Sequence, residues 1–142
     1  MVYSTLTVKA LRFVYHAFRG LEDPDGLPHV FHVFHLAEQM PDEESVLAAL
    51  LHDVTEKTAL TPEDLKRAGF PEQVLAALRV LSRGAGETDA AYLAAVRADP
   101  IARRVKIADL LDERQRAWRR EGEADIAALT RNALALERLE NE

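Results

Sequence analysis

A histidine and an aspartate stand side by side at positions 52 and 53, at the end of an apolar run over residues 46–51. A buried carboxylate without a partner costs free energy, so Asp53 in this setting indicates a bound positive charge, most simply a metal ion. Consecutive helical residues point about 100° apart, so His52 and Asp53 could both reach an ion lying between their directions. The alternative is a structural pair, with Asp53 capping a helix or facing solvent.

Two other segments could supply further ligands. His32 and His35 are three residues apart, which places them on one side of a helix, although histidines in such positions often only pack or form hydrogen bonds. Asp109 lies within the apolar stripe of the segment over residues 103–112, whereas Asp112, Glu113 and Arg114 fit a solvated helix face. These segments make a site of histidine and aspartate ligands possible.

Composition narrows the class of protein. The chain has 142 residues, an apolar share of 48% and a net charge of -6, which predicts one globular domain over residues 1–142 and disfavours binding to nucleic acid or anionic lipid. It has no cysteine, so any metal must be held by His, Asp or Glu. No apolar run approaches the roughly 18 residues of a membrane span, and no signal core is evident, so we expect a soluble, cytoplasmic protein.

Helical periodicity dominates the chain and predicts an all-α fold. Turn formers over residues 20–28 separate the first helix from the second, Thr61 and Pro62 begin a short helix, and Thr88 caps another. The expected helices cover residues 7–19, 29–40, 43–57, 62–69, 71–81, 89–98, 100 to beyond 111, and 125–140. We expect a core over about 7–120 followed by a C-terminal helix over about 124–140.

Four segments, in order, resemble the HD-domain metal-dependent phosphohydrolases, and in particular small members related to the hydrolase domain of the Rel/Spo alarmone enzymes. That family carries Ala-His in its first helix, then Gly-x-Pro-Tyr-x-x-His, Leu-Leu-His-Asp-x-x-Glu-Asp and Val-Lys-x-Ala-Asp. The counterparts here are Tyr15-His16, Gly26-Leu27-Pro28-His29-Val30-Phe31-His32, Leu50-Leu51-His52-Asp53-Val54-Thr55-Glu56-Lys57 and Val105-Lys106-Ile107-Ala108-Asp109. The likeness covers about residues 10–115 and implies a compact multi-helix HD-domain fold.

The resemblance also implies a set of site residues. The metal ligands would be His32, His52, Asp53 and Asp109, and the implied ion is manganese, although Mn, Fe, Co or Zn could all bind two imidazoles and two carboxylates. His16, His29 and His35 would not be ligands. Glu56, one turn beyond Asp53, could orient or deprotonate a water molecule, with Lys57 beside it as a second catalytic candidate. Lys106 matches the family lysine and is expected to contact substrate phosphate, whereas Arg83, Arg103 and Arg104 are weaker candidates.

The sequence departs from the alarmone hydrolases at several positions. Lys57 stands where they have aspartate, Glu113 where they have asparagine, and Asp23 and Asp25 where they have basic residues. We therefore expect a phosphohydrolase acting on a small phosphorylated nucleotide, with guanosine 3′,5′-bis(diphosphate) as the leading named substrate. The alternatives are a nucleoside monophosphate phosphatase, a metal-binding regulatory module with little turnover, and a helical interaction protein in which His52-Asp53 is structural.

Overall fold

The computed structural model describes residues 1–119 and 126–140, which confirm the predicted all-α fold. Within these ranges there is no β-strand, and Glu22 and Pro28 form a single isolated bridge. None of the described helices combines the length and the hydropathy needed to cross a bilayer. The helices are α1 Thr5–Ala17, α2 Val30–Glu38, α3 Glu43–Leu51, α4 Val54–Lys57, α5 Pro62–Arg67, α6 Glu72–Leu81, α7 Asp89–Ala98, α8 Pro100–Arg119 and α9 Ile126–Glu140.

Helix α3 lies at the centre of the fold. Every residue from Ser45 to Leu51 is buried, and the helix packs against α1, α2, α6 and α8. A helix that is apolar on all sides is stable only where neighbours surround it, which explains this central position. The end of α3 is therefore held rigidly inside the protein, and His52 follows directly.

Polar side chains fix where several helices begin. Ser4 and Thr7 form a capping box at α1, so this helix starts two residues earlier than predicted. Asp42 accepts a hydrogen bond from the Ser45 amide at the start of α3, and Thr61 forms a capping box ahead of α5. Each cap satisfies an amide that the first helical turn leaves without a partner.

The structure corrects the predicted helix over residues 43–57. The helix ends at Leu51, and α4 begins at Val54, with His52 and Asp53 in the break between them. His52 Nδ1 bonds the carbonyl oxygen of Ala49 at 2.7 Å, and the backbone of Asp53 turns at φ -102 and ψ -3. Because the apolar pattern continues at Val54, periodicity alone could not locate this break.

Helix α9 packs along α7 and α8. Asn132 is buried and donates a hydrogen bond from Nδ2 to the carbonyl oxygen of Leu110 at 2.9 Å, which fixes α9 against α8. The predicted boundary between the core and this helix, at about residues 120–124, lies outside the described residues.

Candidate metal centre

Three side chains from three helices converge beneath the surface. His32 comes from α2, His52 from the end of α3 and Asp109 from α8, and one ligand atom of each lies within 4.8 Å of the others. His32 Nε2 is 3.0 Å and His52 Nε2 is 3.9 Å from Asp109 Oδ1. The mutual packing of α2, α3 and α8 produces this convergence of residues that are far apart in sequence.

The hydrogen bonding of His52 leaves a lone pair inside the cluster. A carbonyl oxygen can only accept, so the bond to Ala49 places the ring proton on Nδ1 and leaves Nε2 of the neutral ring unprotonated. His52 Nε2 is buried and, among the described residues, has no hydrogen-bond partner, although Asp53 Oδ1 lies 3.3 Å away. A lone pair facing carboxylate oxygens is unfavourable unless a cation lies between them, so the donor set fits a metal ion.

His32 is held at both ring nitrogens. Its Nδ1 lies 2.8 Å from Asp112 Oδ2, while Nε2 faces Asp109. Arg116 Nε approaches the same Asp112 oxygen at 3.0 Å. A carboxylate that accepts from one nitrogen fixes the ring orientation and the tautomer, and here it directs the other nitrogen at Asp109.

Asp53 contacts two histidines. Its Oδ2 lies 3.0 Å from Nε2 of His29, which is buried against the ring of Phe18. Its Oδ1 lies on the side of His52. Because one oxygen is held by His29, Asp53 could offer the other to an ion as a single-oxygen ligand.

The charges of the cluster are strongly coupled. Burial alone would raise the pKa of Asp109, but the hydrogen bond from His32 and the electrostatic interactions with His52 and Lys106 hold it below its usual range. Burial lowers the pKa of His32, yet the hydrogen bond and charge of Asp109 raise it overall. Likewise, Asp53 has a lowered pKa because its contacts with His29 and His52 outweigh burial. The carboxylates are therefore ionised at neutral pH, as metal ligands must be.

A cleft of about 230 Å³ opens beside the cluster. Lys106 Nζ lies 3.8 Å from Asp109 Oδ2 and 5.4 Å from the centre of the Tyr92 ring. Burial would lower the pKa of Lys106, but Asp109 and Tyr92 raise it, so the ammonium stays charged. The cleft is lined by His52, Asp53, Glu56, Leu81, Arg83, Tyr92, Val105, Lys106 and Asp109.

Other residues singled out from the sequence lie elsewhere. Lys57 is exposed at the end of α4 and is not part of the cleft lining. Arg104 pairs with Asp42 at 2.8 Å, and Arg103 donates to the carbonyl oxygen of Glu140. Of the three arginines considered for phosphate binding, only Arg83 reaches the cleft.

The remaining histidines differ in their surroundings. The ring of His16 is exposed beside Arg19, whose Nη2 is 3.2 Å from Nδ1. The side chain of His35 is 53% exposed, and its Nε2 lies 3.8 Å from Asp112 Oδ1. Both lie apart from the group of three ligand atoms.

The expectation that Asp112 is solvated was wrong. Asp112 is 7% exposed because His32 and Arg116 hold it against the cluster, whereas Glu113 and Arg114 are exposed as predicted. Asp112 follows Asp109 by three residues and therefore shares its helix face, a spacing that could have revealed it. His29 likewise precedes His32 by three residues and approaches the same centre.

The fold also appears in a known structure. The chain matches the solved structure described as a metazoan ortholog of SpoT that hydrolyses ppGpp and plays a role in starvation responses, with a TM-score of 0.78 and 21% identity. The match covers 99% of this chain and 89% of that one. No protein-family model matches the chain, and no curated protein matches it. At this identity the likeness establishes the shared fold, as the sequence motifs predicted.

Proposed function

We propose that this protein is a metal-dependent phosphohydrolase that cleaves a phosphate or pyrophosphate ester of a nucleotide. The observation that carries the proposal is the convergence of His32, His52 and Asp109 around the buried, unprotonated Nε2 of His52. A helical interaction protein would not require a buried nitrogen lone pair directed at two carboxylates. The adjoining cleft gives a substrate access to this point.

The metal would be held by His32 Nε2, His52 Nε2 and a carboxylate oxygen of Asp109, with Asp53 as the fourth ligand. A divalent ion bound there would lower the pKa of a water molecule and polarise a phosphoryl oxygen. Two imidazoles and two carboxylates suit a first-row divalent ion, and we propose manganese within that group.

The protein's own residues would supply proton transfer and charge. Glu56 lines the cleft and has no competing hydrogen bond among the described residues, so it can accept a proton from the attacking water. Lys106 remains protonated and would neutralise an oxygen of the phosphate group. Lys57 stays a candidate, but its place outside the cleft lining makes Glu56 the stronger one.

The leading named substrate is guanosine 3′,5′-bis(diphosphate), since the structurally similar metazoan protein is described as hydrolysing ppGpp. The sequence differs from the alarmone pattern at Lys57, Glu113, Asp23 and Asp25, so a nucleoside monophosphate is the second candidate substrate.

The structure gives Asp23 a local role. Asp23 Oδ1 accepts hydrogen bonds from the amides of Asp25 and Leu27 at 2.9 Å. Its carboxylate therefore stabilises the turn.

The first test is metal analysis of purified wild-type protein, His52→Ala and Asp109→Ala, with His16→Ala as a control that removes an exposed imidazole. Both site variants should lose the divalent ion, whereas His16→Ala should retain it. Equal metal content in all four proteins would instead support a helical interaction protein with a structural His52-Asp53 pair.

The second test is a hydrolysis screen of metal-loaded protein over nucleotides, including the alarmone, with added Mn²⁺. Release of phosphate or pyrophosphate that depends on Asp109 is the expected result. Persistent inactivity of metal-loaded protein would favour a metal-binding regulatory module, the alternative suggested by Lys57. Recovery of turnover in Lys57→Asp would then show that Lys57 causes the inactivity.

A further inference from the structure

The two carboxylate oxygens of Asp53 have different surroundings. Oδ1 lies 3.3 Å from the buried Nε2 of His52, whereas Oδ2 lies 3.0 Å from Nε2 of His29. An ionised carboxylate can only accept hydrogen bonds, so Nε2 of His29 carries the proton and donates it to Oδ2. His29 therefore occupies the oxygen that Asp53 would need in order to bind an ion through both oxygens at once.

His29 is fixed in place at both its side chain and its backbone. Its ring is buried against the ring of Phe18, with the two ring centres 4.9 Å apart. Its amide donates to the carbonyl oxygen of Leu21 at 2.9 Å, and its own carbonyl oxygen accepts from the amide of His32 at 3.0 Å. The donor that Asp53 meets thus belongs to a well-packed part of the protein, and such a partner fixes the orientation of a metal ligand.

Asp109 shows a looser form of the same arrangement. Its Oδ1 lies 3.0 Å from Nε2 of His32, while its Oδ2 lies 3.8 Å from Nζ of Lys106. The ammonium group attracts the oxygen on its own side. Asp53 and Asp109 therefore direct one oxygen each toward the histidines, and the protein offers an ion single atoms only: two imidazole nitrogens and two carboxylate oxygens.

Divalent ions differ in the number and kind of ligand atoms that suit them. Zn²⁺ is commonly satisfied by about four nitrogen and oxygen atoms in a tetrahedral arrangement. Mn²⁺ suits an octahedral arrangement rich in oxygen, to which a carboxylate that binds through both oxygens adds one more atom. A site restricted to single atoms therefore favours Zn²⁺ relative to Mn²⁺, compared with a site in which the same aspartates can use both oxygens.

We propose that His29 is a positioning residue that sets the metal selectivity of this centre by limiting Asp53 to one oxygen. The inference rests on the metal centre of the proposed function. It concerns the ratio of two affinities, and the ion that the protein holds in a cell also depends on the supply of each metal. His29 stands where the alarmone hydrolase motif has tyrosine, so an imidazole at this position is not part of that motif.

The test compares the Zn²⁺ and Mn²⁺ affinities of wild type, His29→Asn and His29→Gln, measured by competition with a chromophoric chelator. The amide nitrogen of glutamine reaches about as far as Nε2 of histidine and can donate to Asp53, whereas asparagine is one methylene shorter. His29→Asn should lose about 10–100-fold in Zn²⁺ affinity, the usual effect of removing a partner that orients a ligand. Its Mn²⁺ affinity should fall much less, because both oxygens of Asp53 become available, so the ratio of Zn²⁺ to Mn²⁺ affinity should fall by about tenfold.

Three further proteins control for other causes. His29→Gln should keep the wild-type ratio because the hydrogen bond is restored. His29→Phe keeps a ring against Phe18 but has no donor, so it should behave as His29→Asn does, and the result does not depend on one variant folding. His16→Phe makes the same substitution at an exposed histidine and should match wild type.

Three results would overturn the inference. Equal losses of Zn²⁺ and Mn²⁺ affinity in His29→Asn and His29→Phe would show that His29 supports the site without selecting between ions. Unchanged affinities would show that the hydrogen bond has no effect on metal binding. A ratio in His29→Gln as low as that in His29→Asn would show that the imidazole itself, and not its hydrogen bond to Asp53, is what the ion requires.

The same measurements separate this inference from the proposed function. If the ratio falls as expected but metal-loaded wild type hydrolyses no ester, the selectivity stands and only the phosphohydrolase proposal fails. If wild type hydrolyses a nucleotide but the ratio stays constant, the proposed function stands and the selectivity is overturned. If wild type binds neither Zn²⁺ nor Mn²⁺, both are overturned.

Discussion

Asp112 holds His32 in place: its Oδ2 lies 2.8 Å from His32 Nδ1, across 80 residues of sequence. The bond directs His32 Nε2 toward Asp109 Oδ1, 3.0 Å away. It also assigns the ring proton to Nδ1 whenever Nε2 binds a metal ion. Asp112 would therefore act on the proposed metal centre through His32, without being one of the expected ligands.

Replacing Asp112 should weaken metal binding. Asp112→Ala removes the partner that orients His32, and such losses typically reduce metal affinity by about 10–100-fold. Asp112→Asn should be milder because its amide oxygen can still accept the proton of Nδ1. Competition with a chromophoric chelator for Mn²⁺ and Zn²⁺ measures both effects.

Glu113→Ala is the matched control for these variants. It removes a neighbouring carboxylate that is exposed and does not contact the ring of His32. Its metal affinity should equal that of wild type. If Glu113→Ala weakened binding as much as Asp112→Ala, the effect would come from net charge and not from the orientation of His32.

Variants of Asp109 and Glu56 should show that metal binding and turnover depend on different residues. Asp109→Asn removes an expected ligand and should reduce metal content more than Glu56→Gln, which removes only the proposed proton acceptor. Glu56→Gln should keep its metal while its kcat falls by about 100-fold or more. Metal analysis and kinetics on the same samples test this, and a lower metal content in Glu56→Gln would reverse the two roles.

Gly26 should be required for the turn that leads to His29. Its φ is +82, in the left-handed region, and an added Cβ would meet nothing within 4 Å, so any cost of substitution comes from the backbone. Gly26→Ala should reduce the free energy of unfolding by about 1 kcal/mol. Urea denaturation measures the loss. Gly84→Ala is the matched control, because Gly84 has equal space without a positive φ, and a similar loss there would contradict the explanation.

Much of the fold followed from local sequence signals. Caps at Thr61 and Thr88 and the turn formers around Gly26 mark helix ends through interactions within a few residues, so the order of helices was predictable. The convergence of His32, His52 and Asp109 was expected from the resemblance, because spacing alone gives no distance between helices. The roles of these side chains stay predictions.

Interactions between distant segments account for what the sequence did not reveal. The break after Leu51 depends on a histidine bond to Ala49 inside an apolar pattern that continues past it. Asp112 resembles its solvated neighbours until α2 brings His32 against it.

The cap at the start of α3 should make stability depend on pH. The Asp42 carboxylate accepts from the hydroxyl and amide of Ser45, and these bonds, together with Arg104 at 2.8 Å, lower its pKa despite some burial. A carboxyl with a lowered pKa in the folded state stabilises the protein fully above its unfolded pKa of about 3.9. The contribution is then lost as the pH falls toward the folded pKa.

Asp42→Ala should therefore reduce the free energy of unfolding at pH 7 by about 1 kcal/mol, the usual value of a helix cap. At acidic pH the difference in free energy of unfolding between Asp42→Ala and wild type should be smaller. Asp42→Asn separates charge from capping, because asparagine caps helices equally well but does not titrate. It should stay close to wild type at pH 7 while losing the acid-dependent component. Urea unfolding from pH 3 to pH 7 measures the free energy of unfolding of all three proteins. If the difference between wild type and Asp42→Ala stayed constant over this range, ionisation of Asp42 would contribute nothing to the stability of the α3 cap.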